Sequence, residues 1–252
     1  MNLTALDPDI LLPGFLAGLL VLATHVPLGR EVLKRGIIFI DLAIAQVAGI
    51  GVIAAGAAGW DPHGLGAQVA AVGAALLAGA FLTWTERHFE PVQEAIIGCM
   101  FILAATAGLI LLANDPHGGE ALRDLLVGQI LWVGYAQLIP ALAIATVVLL
   151  IWVPARRHLG RGMFYVLFAF SVTASVQLVG IYLVFASLIL PALATRKLAF
   201  GRALAAAYAG GAAGYAMGLA LSALFDLPSG AVVVWALAGV ALLISLASRR
   251  LA

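Results

Sequence analysis

Charge is what this 252-residue chain has least of: Asp, Glu, Lys and Arg together make up 10% of it, where soluble domains carry about 25%. Apolar residues fill 64%, against about 45–50% in soluble domains. A soluble globule of this size has too little interior to hide that much apolar surface, so lipid is the solvent this composition requires. Cysteine occurs once, at Cys99 inside an apolar run. That excludes an intrachain disulfide and a thiolate cluster, and the residue reads as packing. Lysine occurs only at Lys34 and Lys197, neither preceded by glycine, so the chain has no G-x-x-x-x-G-K-[ST] loop to cradle ATP phosphates. No His-Glu-x-x-His, paired-Cys or nucleic-acid motif occurs either. Deep inside the apolar runs there is essentially one acid, which argues against an intramembrane enzyme. Met1–Pro8 holds Asp7 and no basic residue, so no secretory leader is expected.

What the chain does have is a series of apolar runs between polar breaks, at roughly 10–24, 37–59, 66–84, 94–113, 137–154, 162–177, 179–190, 203–224 and 230–247. Several fall short of the ~20 residues a full span needs. The pair 162–177 and 179–190 predicts two short helices that meet part-way through the membrane. The breaks alternate in charge. Arg30, Lys34, Arg35, Arg87, Arg156, Arg157, Arg161, Arg196, Lys197, Arg202, Arg249 and Arg250 fall on one side, and of the 13 basic residues only Arg123 falls on the other. That other side holds Asp7, Asp9, Asp61, Asp115, Glu120, Asp124 and Asp226. Basic loops stay in the cytoplasm. The expectation is an all-α, polytopic helical membrane protein of about nine membrane segments, N-terminus out and C-terminus in, with residues 1–252 forming a single transmembrane domain. Between the fourth and fifth runs, Glu120–Val127 reads as an amphipathic surface helix and Gly128–Val133 as a stretch dipping back into the membrane.

Polar residues inside the spans are the candidates for function. Asp41 lies about one turn into the second segment and has two readings. It is a cation ligand or gate residue, or a carboxylate at a helix N-terminus paired with Arg30, Lys34 or Arg35. Gln46, five residues on, lies roughly 140° around a regular helix from Asp41, so the two converge only if the helix is distorted; its other reading is an interhelical hydrogen bonder. His25 sits near the inner end of the first span and lines a pathway or simply packs there. His63 and His117 fall in a repeated tetrapeptide, Asp61-Pro62-His63-Gly64 and Asp115-Pro116-His117-Gly118, on the acidic side. The repeat fits a metal-collecting vestibule or two polar turns. The sixth segment carries Ser171, Thr173, Ser175 and Gln177, small polar groups that suit close helix packing or the lining of a pore.

The stretch Val179–Arg202, VGIYLVFASLILPALATRKLAFGR, stands apart. An apolar run ends at Pro191, and behind it the small residues from Ala192 to Ala199, with Arg196 and Lys197 among them, read as a short basic helix on the membrane surface, placed to dock on a soluble partner.

With these residues laid out, the chain resembles the integral-membrane permeases of ATP-binding-cassette importers for zinc, manganese and iron. Val179–Ala199 resembles that family's V-G-x-x-L-V-x-A-L-L-I-x-P-A-A-T-A-x-x-L. Gly218–Gly230, GLALSALFDLPSG, resembles G-L-x-x-S-x-x-x-D-x-P-x-G; Glu94–Gly98, EAIIG, resembles E-D-x-A-I-G; and Asp124–Leu131, DLLVGQIL, resembles D-L-x-x-x-L-x-G-D-I-L with shortened spacing. The resemblance implies a homodimeric permease in the cytoplasmic (inner) membrane of a bacterium, with its pathway at the dimer interface. It implies a separate cytoplasmic ABC ATPase that binds the ATP, an extracytoplasmic metal-binding protein, no resident cofactor, and a divalent metal as substrate, zinc first. Pro191, Ala192, Leu193, Ala194, Thr195, Arg196 and Lys197 would belong to the ATPase-coupling helix. One departure concerns the second span, where many members read G-D-x-L-x-H-A. Here Ile40-Asp41-Leu42-Ala43-Ile44-Ala45-Gln46 puts Ala45 at the histidine position when aligned on the acid, and Gln46 there when aligned on Gly51. A permease for a metal chelate and a gradient-driven carrier are the alternatives, and the second needs more buried titratable groups than Asp41 alone provides.

Overall fold

Lipid offers no hydrogen-bond partners, so a chain this apolar closes its backbone bonds inside helices. The computed structural model describes residues 7–61, 64–113, 115–155 and 160–249. His63, Arg156, Arg157, His158 and Arg250 lie outside the described residues. Among the described residues ten α-helices are formed: α1 (Pro8–Arg35), α2 (Ile40–Ala57), α3 (Leu65–His88), α4 (Gln93–Leu112), α5 (Gly118–Val127), α6 (Tyr135–Ala155), α7 (Arg161–Val179), α8 (Ile181–Ala194), α9 (Phe200–Phe225) and α10 (Ser229–Arg249). Eight are long and apolar enough to cross a bilayer, and α8 is a shorter apolar helix. These nine coincide with the nine segments expected from hydropathy, and α5 is the amphipathic helix expected around Glu120. The start of α1 shows how local signals set a boundary: the Asp7 side chain caps it by accepting from the Asp9 N–H at 2.9 Å, and Pro8 occupies the first turn. Gly36, at φ 72°, closes its other end.

The helices alternate in direction, and contacts at one end fix this. Arg30 near the end of α1 stacks on Phe200 at the start of α9. Arg35 and Arg161, from α1 and α7, both reach Glu86 at the end of α3. The Phe39 N–H ahead of α2 donates to Glu94 at the start of α4. This basic end gathers the described cations except Arg123, which lies in α5 at the acidic end. Along their apolar windows α7, α2 and α1 are 67%, 56% and 50% buried, against 17% for α4 and 22% for α10. The first three therefore make the centre and the last two face lipid. α1 packs on α6, α7, α8 and α9, while α2 packs on α3, α4 and α7. Tyr215 of α9 and Ser187 of α8 share a 2.7 Å hydrogen bond beside α1, where Gly18 leaves room for the tyrosine ring.

At 14 residues, α8 is about 21 Å long against a hydrocarbon core of about 30 Å. It joins α7 through Gly180 alone, at φ 80° and ψ 164°, a conformation that favours glycine. The turn is packed backbone to backbone. A Cβ at Gly180 would strike Gly128 at the end of α5, one at Gly128 would strike Val179, and one at Gly230 at the start of α10 would strike Val127. Three motif glycines, distant in sequence, thus meet at the acidic end. Beyond Gly128 the chain turns in toward α1. It forms a 3-10 turn at Ile130–Trp132, with Ile130 buried against Gly14 of α1 and Trp132 exposed.

Two sequence expectations are corrected. Pro191 does not begin a surface helix: α8 runs through it to Ala194, and Thr195–Ala199 is a turn. Pro191, Ala192 and Ala194 are buried, and Pro191 lines a narrow cleft with Gly210 and Gly211 of α9 and Leu237 and Val240 of α10. Inside a bilayer, continuing the helix keeps the following carbonyls bonded. The N–H and hydroxyl of Thr195 both donate to the Pro191 carbonyl, at 3.2 and 2.8 Å. Cys99, expected to be packed, is exposed on the lipid-facing helix α4. The glycine junction yields a test. Gly180→Ala should destabilise the protein by about 1–3 kcal/mol or more, read as a lower unfolding temperature in detergent. Gly73→Ala, with nothing within 4 Å of its added methyl, should leave that temperature unchanged.

Candidate functional site

The central helices carry a polar thread. Ser171 of α7 donates its hydroxyl proton to Thr24 Oγ1 of α1 at 2.8 Å, and Thr24 donates to the Val21 carbonyl at 3.3 Å. His25 Nδ1 lies 2.9 Å from the same carbonyl and 3.0 Å from Thr24 Oγ1. His25 has 0% exposure, and its Nε2 has no partner. Thr24, Ser171 and Ser175 share the lining of a cavity of about 10 Å³ with Leu20, Ala141 and Ile144. Ser171 and Thr24 thus tie α7 to α1 by a buried hydrogen bond, while Gln177 is exposed.

Asp41 stands in the first turn of α2 with 0% exposure, and neither carboxylate oxygen has a hydrogen-bond partner. The cations proposed to pair with it are engaged elsewhere or turned outward. Arg35 binds Glu31 at 2.9 Å and lies over the Phe164 ring at 4.3 Å, Arg30 lies over Phe200 at 5.4 Å, and Lys34 is exposed. The helix dipole is the compensation nearest to hand. Because α2 is unbroken from Ile40 to Ala57, Gln46 stays roughly 140° around the helix from Asp41, buried but not brought to it. Ala45, one turn on from Asp41, is buried and apolar.

At the basic end lies a network that the sequence reading missed. Glu86, 8% exposed, meets Arg35 at 3.9 Å and Arg161 at 3.7 Å, and Arg161 also reaches Glu90 at 3.4 Å. Gln93 Nε2 donates to the Leu82 carbonyl at 3.1 Å and to the Tyr165 hydroxyl at 3.4 Å. The signal was available: Glu86, Glu90 and Glu94 recur every four residues on the side otherwise given to cations. Among the described residues, six of the eight buried polar side-chain atoms without a partner are acceptors, on His25, Asp41, Glu86, Gln93 and Glu94. An excess of unanswered acceptors in a dry interior suits a cation or a proton donor and repels an anion.

Of the two histidines expected at the acidic end, one is described. His117 is exposed, its N–H bonded to Asp115 at 2.9 Å in a local turn and its ring 4.0 Å from Glu120, and His63 lies outside the described residues. Among the described residues no group of three or more His, Cys, Asp or Glu side chains could hold a metal ion. The candidate pathway residues Asp41, Gln46 and His25 therefore sit at separate positions along the central helices. The exposed polar turn at the other extremity of α8 presents Arg196 and Lys197, with Leu193 also exposed and Thr195 buried.

A family model described as the ABC 3 transport family matches residues 7–162 and 159–248. The chain belongs to this family. Membership makes it a membrane-spanning transport chain, in keeping with the lack of any nucleotide loop of its own. In fold it is similar to a chain of PsaBC from Streptococcus pneumoniae, solved in complex with Fab, with a TM-score of 0.72 and 20% identity over 94% of this chain and 89% of that one. Comparison with curated proteins finds no match. For this ABC 3 family member, Glu86→Gln should cost about 1–3 kcal/mol, because it removes the negative charge that faces both Arg35 and Arg161 and leaves them only Glu31 and Glu90. Arg161→Gln, at a side chain 44% exposed, should cost under about 1 kcal/mol. Thermal unfolding in detergent measures both.

Proposed function

We propose that this chain is the permease of an ATP-driven importer for a divalent transition-metal ion, zinc first, with manganese or iron next. The observation that carries the reading is Asp41: a carboxyl group held in the protein interior at the start of a spanning helix, with no partner on either oxygen, in a chain that belongs to a transport family. Such a group costs several kcal/mol unless something arrives to answer it, and a passing cation does. Asp41 would take the metal transiently, in keeping with a substrate that has to leave again. The metal is cargo, and no resident cofactor is required.

The basic end faces the cytoplasm by the positive-inside rule. There the turn after α8 offers Arg196 and Lys197, with Leu193, as the contact for a separate ABC ATPase. Pro191, Ala192, Ala194 and Thr195 are buried and would pass that contact into α8 rather than touch the partner. A second copy of the chain would complete the pathway across a dimer interface in a bacterial cytoplasmic membrane, and an extracytoplasmic binding protein would deliver metal to the acidic end.

Two measurements test this. In proteoliposomes holding the permease with its ATPase, Asp41→Asn should lower ATP-dependent zinc uptake about tenfold or more while leaving the yield of assembled permease unchanged. Uptake at the wild-type rate would retire Asp41 as a ligand. Arg196→Glu combined with Lys197→Glu should leave the chain inserted but abolish retention of the ATPase on purification; unchanged co-purification would remove the turn from the contact.

A further inference from the structure

The environment of His25 settles which ring nitrogen carries the proton. Nδ1 lies 2.9 Å from the Val21 carbonyl, and a carbonyl oxygen only accepts. Nδ1 is therefore the N–H, and Nε2 holds the free lone pair. The neighbours reinforce the assignment from a second helix. Thr24 sends its own proton to Val21 and receives one from Ser171 of α7, which leaves it a lone pair for the Nδ1–H at 3.0 Å. Nε2 is buried with no hydrogen-bond partner. The ring is thus oriented by a hydrogen bond on one nitrogen while the other is left bare, the arrangement by which proteins present a histidine to a metal.

We propose that His25 Nε2 is a coordination position for the transported cation and biases the pathway toward zinc or iron and against magnesium and calcium. The proposal rests on the metal-importer reading and adds a selectivity that Asp41 cannot supply, because a carboxylate oxygen welcomes hard cations as readily, whereas an imidazole nitrogen suits zinc and iron and offers little to magnesium or calcium. Thr24 and Ser171 act as positioning residues for the ring.

The test uses the full permease reconstituted with its ATPase. Wild-type uptake of tracer zinc should resist a thousandfold excess of calcium. His25→Asp, which exchanges nitrogen for oxygen, should make uptake about tenfold more sensitive to calcium, and His25→Gln should lower zinc uptake about tenfold. As a readout independent of transport, Cu²⁺-loaded permease in which His63, His88, His117 and His158 are changed to Gln should show nitrogen coupling from one imidazole by pulsed electron paramagnetic resonance, lost in His25→Gln. If the His25 variants do not insert, Ser171→Ala should weaken zinc uptake about threefold, and Ser171→Thr should restore it. Wild-type uptake and calcium resistance in the His25 variants, or in Ser171→Ala where those do not insert, would overturn the proposal, as would retained nitrogen coupling in His25→Gln; His25 would then be a packing residue, at most holding a water. Absence of ATP-dependent uptake of any divalent ion by the wild-type complex would instead bring down the importer reading itself.

Discussion

Close approach of backbone to backbone at the acidic end is the constraint on which the rest of this bundle depends. Apolar helices gain nothing from hiding from lipid as they would from water, so they associate where small residues let them come near. Gly128, Gly180 and Gly230 provide that approach for α5, the α7–α8 turn and α10, and a side chain at any of them would push these elements apart. The turn at Gly180 lets α8 be short, and beyond Gly128 the Ile130–Trp132 turn seats Ile130 against Gly14 of α1. Gly29 repeats the device at the other end, where a Cβ would strike the Leu188 carbonyl of α8.

Against that tight frame, the unanswered polar atoms are unevenly distributed. Among the described residues, His25, Asp41, Glu86, Gln93 and Glu94 leave acceptors open from mid-membrane to the basic end, while Thr173 Oγ1 is the one such atom toward the acidic end. Interiors usually pair such groups. Leaving several open along the central helices and their basic end, in a fold otherwise so closely packed, would suit the cation route proposed above: attraction enough to admit an ion and no fixed cage to keep it.

The sequence told the fold well because one variable, hydropathy, dominates in a membrane. Nine apolar runs became nine helices, and the charges at their ends gave the alternation of direction. It misled at Pro191, where a rule learned in water, that proline ends a helix, met a buried position at which ending the helix would have stranded carbonyls in lipid. It was silent on Glu86, Gln93 and Tyr165, which come from α3, α4 and α7 and acquire meaning only when those helices meet. For Asp41 the pattern located the residue but not its isolation, since pairing with Arg35 was lost to Glu31 and Glu86, neighbours that hydropathy does not rank. His25 was visible as a polar residue in a span. Its orientation depends on Ser171, 146 positions away in the chain.

The shortness of α8 also has a mechanical meaning. One extremity is locked by Gly180 into the roof formed by the end of α5, and the other emerges as the Arg196–Lys197 turn. With no slack at the roof and a rigid rod of about 21 Å between, a push on the turn cannot be absorbed by bending a loop. Such a push would reach the roof as a displacement, which makes α8 the stiff link between the Arg196–Lys197 turn and the glycine-packed end of α5.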